Sequence, residues 1–275
     1  MSTQELLDIA KHVARVSGEM VLERRQGHVE VADTKSTLND VVTQVDRDSE
    51  QLIKDMLQTA RPQDGFLGEE GGSGESTSGI TWVVDPIDGT VNFLYGIPHY
   101  AVSIAAVEGQ PEPDEWNVLA GVVFNPATGE MFHAAQGKGA HLGNRSITVA
   151  AQVPIENALL LTGFAYAERY RRAQGELMQE ILPRVRDIRR LGTASLDLAY
   201  VAAGRANVYF ERTLSPWDHA AGELIVREAG GVVTGFGETA PGREAIFAGE
   251  RDMVARMKEL VSQFDGDRPL SSFDS

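Results

Sequence analysis

Trp82-Val83-Val84-Asp85-Pro86-Ile87-Asp88-Gly89-Thr90 is the most informative stretch of this chain. Its apolar start reads as a buried strand, which ends in two carboxylates, Asp85 and Asp88. Gly89 and Thr90 then turn the pattern toward a helix. Acids at a strand end can hold hard cations, and a glycine turn opening a helix can offer backbone N–H groups to a phosphate. Together they point to metal-assisted phosphoryl transfer. Alone, the pair also fits a plain turn, because Asp-Pro and Asp-Gly are common turn dipeptides. The preceding strand favours a site, since ligands of α/β folds gather at the carboxyl ends of strands.

Other acids can be placed around this stretch. Gly68-Glu69-Glu70 follows apolar Phe66-Leu67, a second possible strand end. Adjacent glutamates are ordinarily solvated charge, and only one of two neighbours on an extended segment can point into a site. Asp218 sits in Ser215-Pro216-Trp217-Asp218. There serine caps a helix, proline takes its first position, and an acid in the first turn suits the helix dipole. Capping alone therefore explains Asp218. Asp46 invites the same reading, because Thr43-x-x-Asp46 resembles a capping box. His219 is read as structural. The conjunction exceeds its parts: several acids at element ends and a glycine turn into a helix fit one reaction class.

Working outward, Leu6, Ala10, Val13, Ser17 and Met20 follow helical spacing, so residues 3–25 read as an amphipathic helix. A second helix starts at the Thr43 cap and ends at Arg61-Pro62. Gly71 to Gly79 reads as a mobile loop, and Val102 to Val107 and Gly121 to Phe124 as strands. Leu159 to Leu161, Ala206 to Phe210 and Ala245 to Ala248 are strand-like. They alternate with helical patterns over Arg169 to Val185, Thr193 to Ala203, Ser215 to Ala229 and Asp252 to Phe264. That alternation argues for an α/β arrangement. The tail from Gly266 reads as polar and frayed. We divide the chain into an N-terminal α+β part, residues 1–150, with most candidate metal ligands, and a C-terminal α/β part, residues 151–275, with Glu211 and Asp218.

The 275 residues suffice for one large or two modest domains. The formal charge of -15 argues against direct nucleic-acid binding and against an anionic membrane surface. It would also repel a phosphate unless bound cations reversed the local field. With no cysteine, disulfides, thiolate metal sites and cysteine nucleophiles are excluded. No apolar run reaches the length of about 18 residues that a membrane helix needs. The N-terminus lacks a signal pattern, so a cytoplasmic protein is expected. Asn144-Arg145-Ser146 is a formal glycosylation sequon that would be idle there.

Several ordered motifs resemble the inositol monophosphatase family over roughly Leu6 to Leu260. They are Lys35-Ser36 with Asp40 to Asp46, Gly68-Glu69-Glu70, Trp82 to Phe93, and Trp217-Asp218 through Gly230-Gly231. Thr90-Val91-Asn92-Phe93 with Gly96-Ile97-Pro98 looks most like the bacterial inositol-1-monophosphatases. The resemblance implies a layered αβαβα sandwich of the inositol monophosphatase and fructose-1,6-bisphosphatase type. It also implies a Mg²⁺-dependent homodimer, often inhibited by lithium, that acts on a small phosphomonoester. Carried over by motif, Glu69, Asp85 and the Ile87 carbonyl would hold one Mg²⁺. Asp85, Asp88 and Asp218 would hold a second, and Glu69 with waters a weaker third. Glu69 and Thr90 would position the attacking water, with Asp46 supporting Thr90. Gly89 and Thr90 would hold the phosphate, while Thr193, Ala194 and Glu211 would contact the alcohol beside Asp88 and Asp218. Histidinol phosphate, fructose 1,6-bisphosphate and phosphoadenosine phosphate are alternative substrates on this fold, and a regulatory protein-binding role is an alternative of another class. The sequence departs from the family pattern in a short loop between Glu69 and Asp85 and in His219, where an apolar residue is common.

Overall fold

The computed structural model describes residues 2–27, 31–34 and 41–273. Lys35, Ser36 and Asp40, which open the first resemblance motif, lie outside the described residues. Helix α1 (Thr3–Arg25) opens on a capping box between Ser2 and Glu5. A short antiparallel pair, β1 (Val31–Thr34) and β2 (Val41–Thr43), leads into α2 (Gln44–Ala60), capped by Thr43 and Asp46. The chain then runs through β3 (Gly65–Gly68), β4 (Ser73–Gly74), β5 (Ile80–Asp88), α3 (Thr90–Tyr95), β6 (Ala101–Gly109) and β7 (Trp116–Asn125). Next come β8 (Glu130–Ala135), β9 (Ala140–Leu142) and β10 (Arg145–Ser146). Strands β3 to β10 form one sheet in the order β10-β9-β8-β7-β6-β5-β3-β4.

The second half holds β11 (Leu159–Thr162), α4 (Glu168–Ile181), β12 (Asp187–Arg189), α5 (Ala194–Ala202) and β13 (Val208–Glu211). It continues through α6 (Pro216–Glu228), β14 (Val232–Thr234), β15 (Ile246–Gly249) and α7 (Arg251–Ser262). Its strands form a second sheet in the order β12-β11-β13-β15-β14. Strand alternation decides how the layers stack. Leu161, Tyr209, Ile246 and Ala248 face a core shared with α5, α6 and the first sheet. Leu160, Val208, Phe210 and Phe247 face the opposite way, onto Leu177 and Ile181 of α4 and Val254 and Met257 of α7. On the far side of the first sheet, Trp82, Val84, Ile104 and Val122 pack on Leu6, Ala10 and Val13 of α1 and Ile53 and Leu57 of α2. The result is an α-β-α-β-α sandwich. Helix α5 is apolar almost all round, as a helix between two sheets must be.

Three local expectations are corrected. The segment 71–79 adds β4 to the sheet edge, and Ser78 Oγ donates to Asp64 at 2.6 Å. The helix expected to reach Val185 stops at Ile181 and continues as a 3₁₀ turn over Leu182–Arg184, because Pro183 has no N–H to extend it. The tail folds back into a 3₁₀ turn, Leu270–Phe273, with Leu270 buried. Among the described residues no helix is long and apolar enough to cross a membrane.

Candidate active site

The site floor rests on an irregularity in β5. Two residues three apart on a regular strand point to opposite faces. Here β5 pairs Asp85 with Ser103 but Asp88 with Ala101, so three steps along β5 match two along β6. This bulge, at Pro86, resets the alternation and brings both acids to one side. Asp218 reaches the same place from the first turn of α6. Asp85, Asp88 and Asp218 offer carboxylate oxygens that all lie within 4.8 Å of one another. Backbone donors orient each acid: Ile87 N–H to Asp85 at 3.0 Å, Ser195 N–H to Asp88 at 2.7 Å and Ser215 N–H to Asp218 at 2.6 Å. Asp218 thus combines the capping role with a place in the cluster.

A second group sits beside it. Asp46 accepts from Thr43 N–H at 2.9 Å and from the Thr90 hydroxyl at 3.0 Å. The Thr90 hydroxyl is also 3.1 Å from the Ile87 carbonyl. Glu69 leaves β3 with its N–H on the Val84 carbonyl at 3.2 Å, and its side chain lines the cavity over the acids. Glu50 of α2 fixes the turn beyond it, accepting from Glu70 N–H at 2.8 Å and Gly72 N–H at 2.9 Å. The cavity occupies about 510 Å³.

The remaining expected residues, Gly89, Thr193, Ala194 and Glu211, also line this cavity. Gly89 adopts φ +92°, and a Cβ there would lie 2.3 Å from Thr193 Oγ1. Thr193 Oγ1 donates to the His99 carbonyl at 2.8 Å, which ties Thr193 to the loop after α3. Tyr209 donates to Glu211 at 2.7 Å. Residues not anticipated from the sequence also line the cavity, including Gly163, Tyr170, Arg190 and Arg243. Asp197 was missed as well: it is buried in α5, and its Oδ1 has no hydrogen-bond partner among the described residues.

Burial sets the electrostatics. It pushes Asp46 and Asp88 up to about 6, against hydrogen bonds from Thr43 and from Ser195 that pull them down. Asp85 and Asp218 rise well above the usual carboxylate range, through burial first and the neighbouring acids second. Burial likewise lifts Glu211 to about 7. Buried acids that suppress one another's ionisation, with oxygen donors only, match what a hard divalent cation would reverse. The donor set therefore fits such an ion.

The family model for the inositol monophosphatase family matches residues 2–263. The chain belongs to the inositol monophosphatase family. The inositol-1-monophosphatase of Rhizobium meliloti (strain 1021) is 42% identical over 237 residues, covering 85% of each chain. A relative named Nus factor SuhB, from Escherichia coli (strain K12), is 39% identical over 234 residues, 84% of this chain and 85% of its own. The crystal structure of extragenic suppressor protein suhB from Bartonella henselae superimposes with a TM-score of 0.86 at 35% identity, covering 94% of this chain and 99% of that one. Family membership makes this a phosphatase fold with a metal-dependent site. The Nus factor name among the relatives leaves the expectation of no direct nucleic-acid contact without support.

His219, the departure from the family pattern, is fully buried. Its ring lies 5.5 Å from that of Trp116, and its Nδ1 is 3.5 Å from Glu223. Neither ring nitrogen makes a hydrogen bond among the described residues. It faces the core rather than the cavity.

Proposed function

We propose that the chain is a Mg²⁺-dependent phosphomonoesterase that hydrolyses myo-inositol monophosphate to inositol and phosphate. The observation that carries this reading is the convergence of Asp85, Asp88 and Asp218 from two distant elements. Glu69, Asp85 and the Ile87 carbonyl would hold one cation, Asp85, Asp88 and Asp218 a second, and Glu69 a weaker third through waters. Cations bound there would lower the pKa of a water and neutralise charge developing on the leaving oxygen.

The rest falls to the chain's own groups. The Thr90 hydroxyl donates its hydrogen bond to Asp46, which leaves the oxygen lone pairs free to accept from the attacking water beside Glu69. That arrangement holds the water in place, and placement dominates where the transition state is loose. Backbone N–H groups of Gly89 and Thr90 face the phosphate. Thr193, Ala194 and Glu211 meet the alcohol, with Asp88 and Asp218 at the boundary. Glu211, kept in register by Tyr209, can accept from sugar-type hydroxyls when ionised. A homodimer in the cytoplasm, sensitive to lithium, is part of the same reading.

Initial rates with Mg²⁺ on inositol 1-phosphate, histidinol phosphate, fructose 1,6-bisphosphate and phosphoadenosine phosphate test it. Inositol phosphate should give the highest kcat/KM; a clear preference for another ester would replace the substrate assignment. Asp88→Asn should lower kcat about a hundredfold or more while the melting curve stays cooperative. Near-normal activity in that variant would sink the metal assignment.

The Nus factor name of relatives favours a second reading, a regulatory role through a macromolecular partner. Wild-type protein and the Asp88→Asn variant should then capture the same partner from lysate. Capture of nothing by either would remove this reading.

A further inference from the structure

The match to the family model stops at Gln263, yet the chain beyond it is tied into the body of the protein. Phe264 and Gly266 N–H groups turn back onto the Val261 carbonyl. Two anchors then hold the segment. The first is Arg212, whose guanidinium is buried. It donates to the Gly266 carbonyl at 3.0 Å, the Arg268 carbonyl at 2.7 Å, the Glu244 carbonyl at 2.7 Å and the Glu244 carboxylate at 3.1 Å. The same carboxylate accepts from Leu270 N–H at 3.0 Å. The second anchor is a small apolar cluster of Leu270 and Phe273 with Ala165 and Tyr170. The Tyr170 and Phe273 rings meet edge-on at 6.4 Å.

Both anchors end on the cavity. Arg212 stands between Glu211 and Thr213, which line it, and Thr213 is held at φ +74° with its N–H on the Arg243 carbonyl at 2.7 Å. Ala165 and Tyr170, in the stretch that follows β11, line the same cavity. A rigid, planar guanidinium that meets three carbonyls in different directions fixes the backbone around it more firmly than a lysine could. The segment therefore holds two stretches of the cavity lining, the one after β11 through Ala165 and Tyr170 and the one after β13 through Arg212.

We propose that residues 264–273 act as a strap that sets the spacing of the alcohol-binding walls, with Arg212, Leu270 and Phe273 as positioning residues for substrate selection. This rests on the phosphatase reading above. In the full chain, Leu270→Ala with Phe273→Ala should raise KM for inositol 1-phosphate about tenfold. Its kcat should stay within about twofold, as should kcat/KM for p-nitrophenyl phosphate, which has no hydroxyls to read. Arg212→Lys should show the same split between substrates. Amide hydrogen exchange should quicken at residues 163–170 and 211–213. A parallel loss on both esters, or an unchanged ratio between them, overturns the strap. If the double variant does not fold, Phe273→Ala alone carries the test, because that ring is only partly buried. If the wild type hydrolyses neither ester, the phosphatase reading fails instead, and unchanged exchange at those two walls still overturns the strap.

Discussion

At the scale of single residues, the site depends on a few positions where no other side chain fits. Gly163 is one. An alanine there would put its Cβ 2.2 Å from Glu211 Oε1 and 2.3 Å from Oε2, so the carboxylate would have to swing away. Gly163→Ala should therefore imitate loss of Glu211: KM for inositol 1-phosphate up about tenfold, p-nitrophenyl phosphate turnover nearly unmoved. An unchanged KM would mean that Glu211 does not touch the alcohol. The sequence announces the acids because their spacing is unusual. It is silent on Gly163, whose requirement arises only when β11 and β13 pair side by side and Tyr209 turns Glu211 toward it. Asp197 was unreadable for a similar reason, since one acid in an apolar helix pattern looks like ordinary polar punctuation.

At the scale of elements, the ends of helices serve stability and chemistry together. Thr43 caps α2 and also holds Asp46, which in turn reaches Thr90. Thr43→Ala should cost about 1 kcal/mol of unfolding free energy through the lost cap. It should also lower kcat, because Asp46 loses part of its orientation, and Thr43→Ser should restore both. A stability loss without a kcat loss would uncouple cap from site. Such caps were legible: Thr43-x-x-Asp46 and Ser215-Pro216-x-Asp218 both stand where the sequence places them. The bulge in β5 was not. The strand reads as ending in Asp85 and Asp88, but nothing in that spacing shows that β6 pairs them with Ser103 and Ala101, two residues apart instead of three. The short strands β8, β9, β10 and β12 escaped notice too: Glu130, His133, His141, Arg145, Asp187 and Arg189 interrupt them, so no apolar run marks them as it marks Leu159 to Leu161.

At the scale of the molecule, the acid cluster sets the pH response. Burial pushes Asp46 and Asp88 up to about 6 in the folded chain, against an ordinary value of 3.8, and burial with the neighbouring acids lifts Asp85 and Asp218 well above that ordinary value. Between roughly pH 4 and 6 the native chain keeps protons that the unfolded chain has released. Metal-free stability is therefore fullest at the acid end of that window and falls as pH rises through it. In EDTA, the Tm should drop by about 5 °C or more between pH 5 and pH 8. Mg²⁺ should recover most of the loss at pH 8 and add little at pH 5. A flat profile in EDTA would contradict the buried, mutually repelling cluster.

The hydrogen bond from Ser195 N–H to Asp88 spans 107 residues of chain. Neither half of the polypeptide can finish the cluster by itself, since β5 brings two acids and α6 the third. Ion capture is thus expected late in folding, as an inspection that only a correctly docked pair of sheets would pass. Refolding followed with a Mg²⁺-competing indicator should show the signal arriving after most of the helical circular dichroism, because such long-range closures are slow to form. Simultaneous arrival would mean that the cluster assembles before the sheets dock.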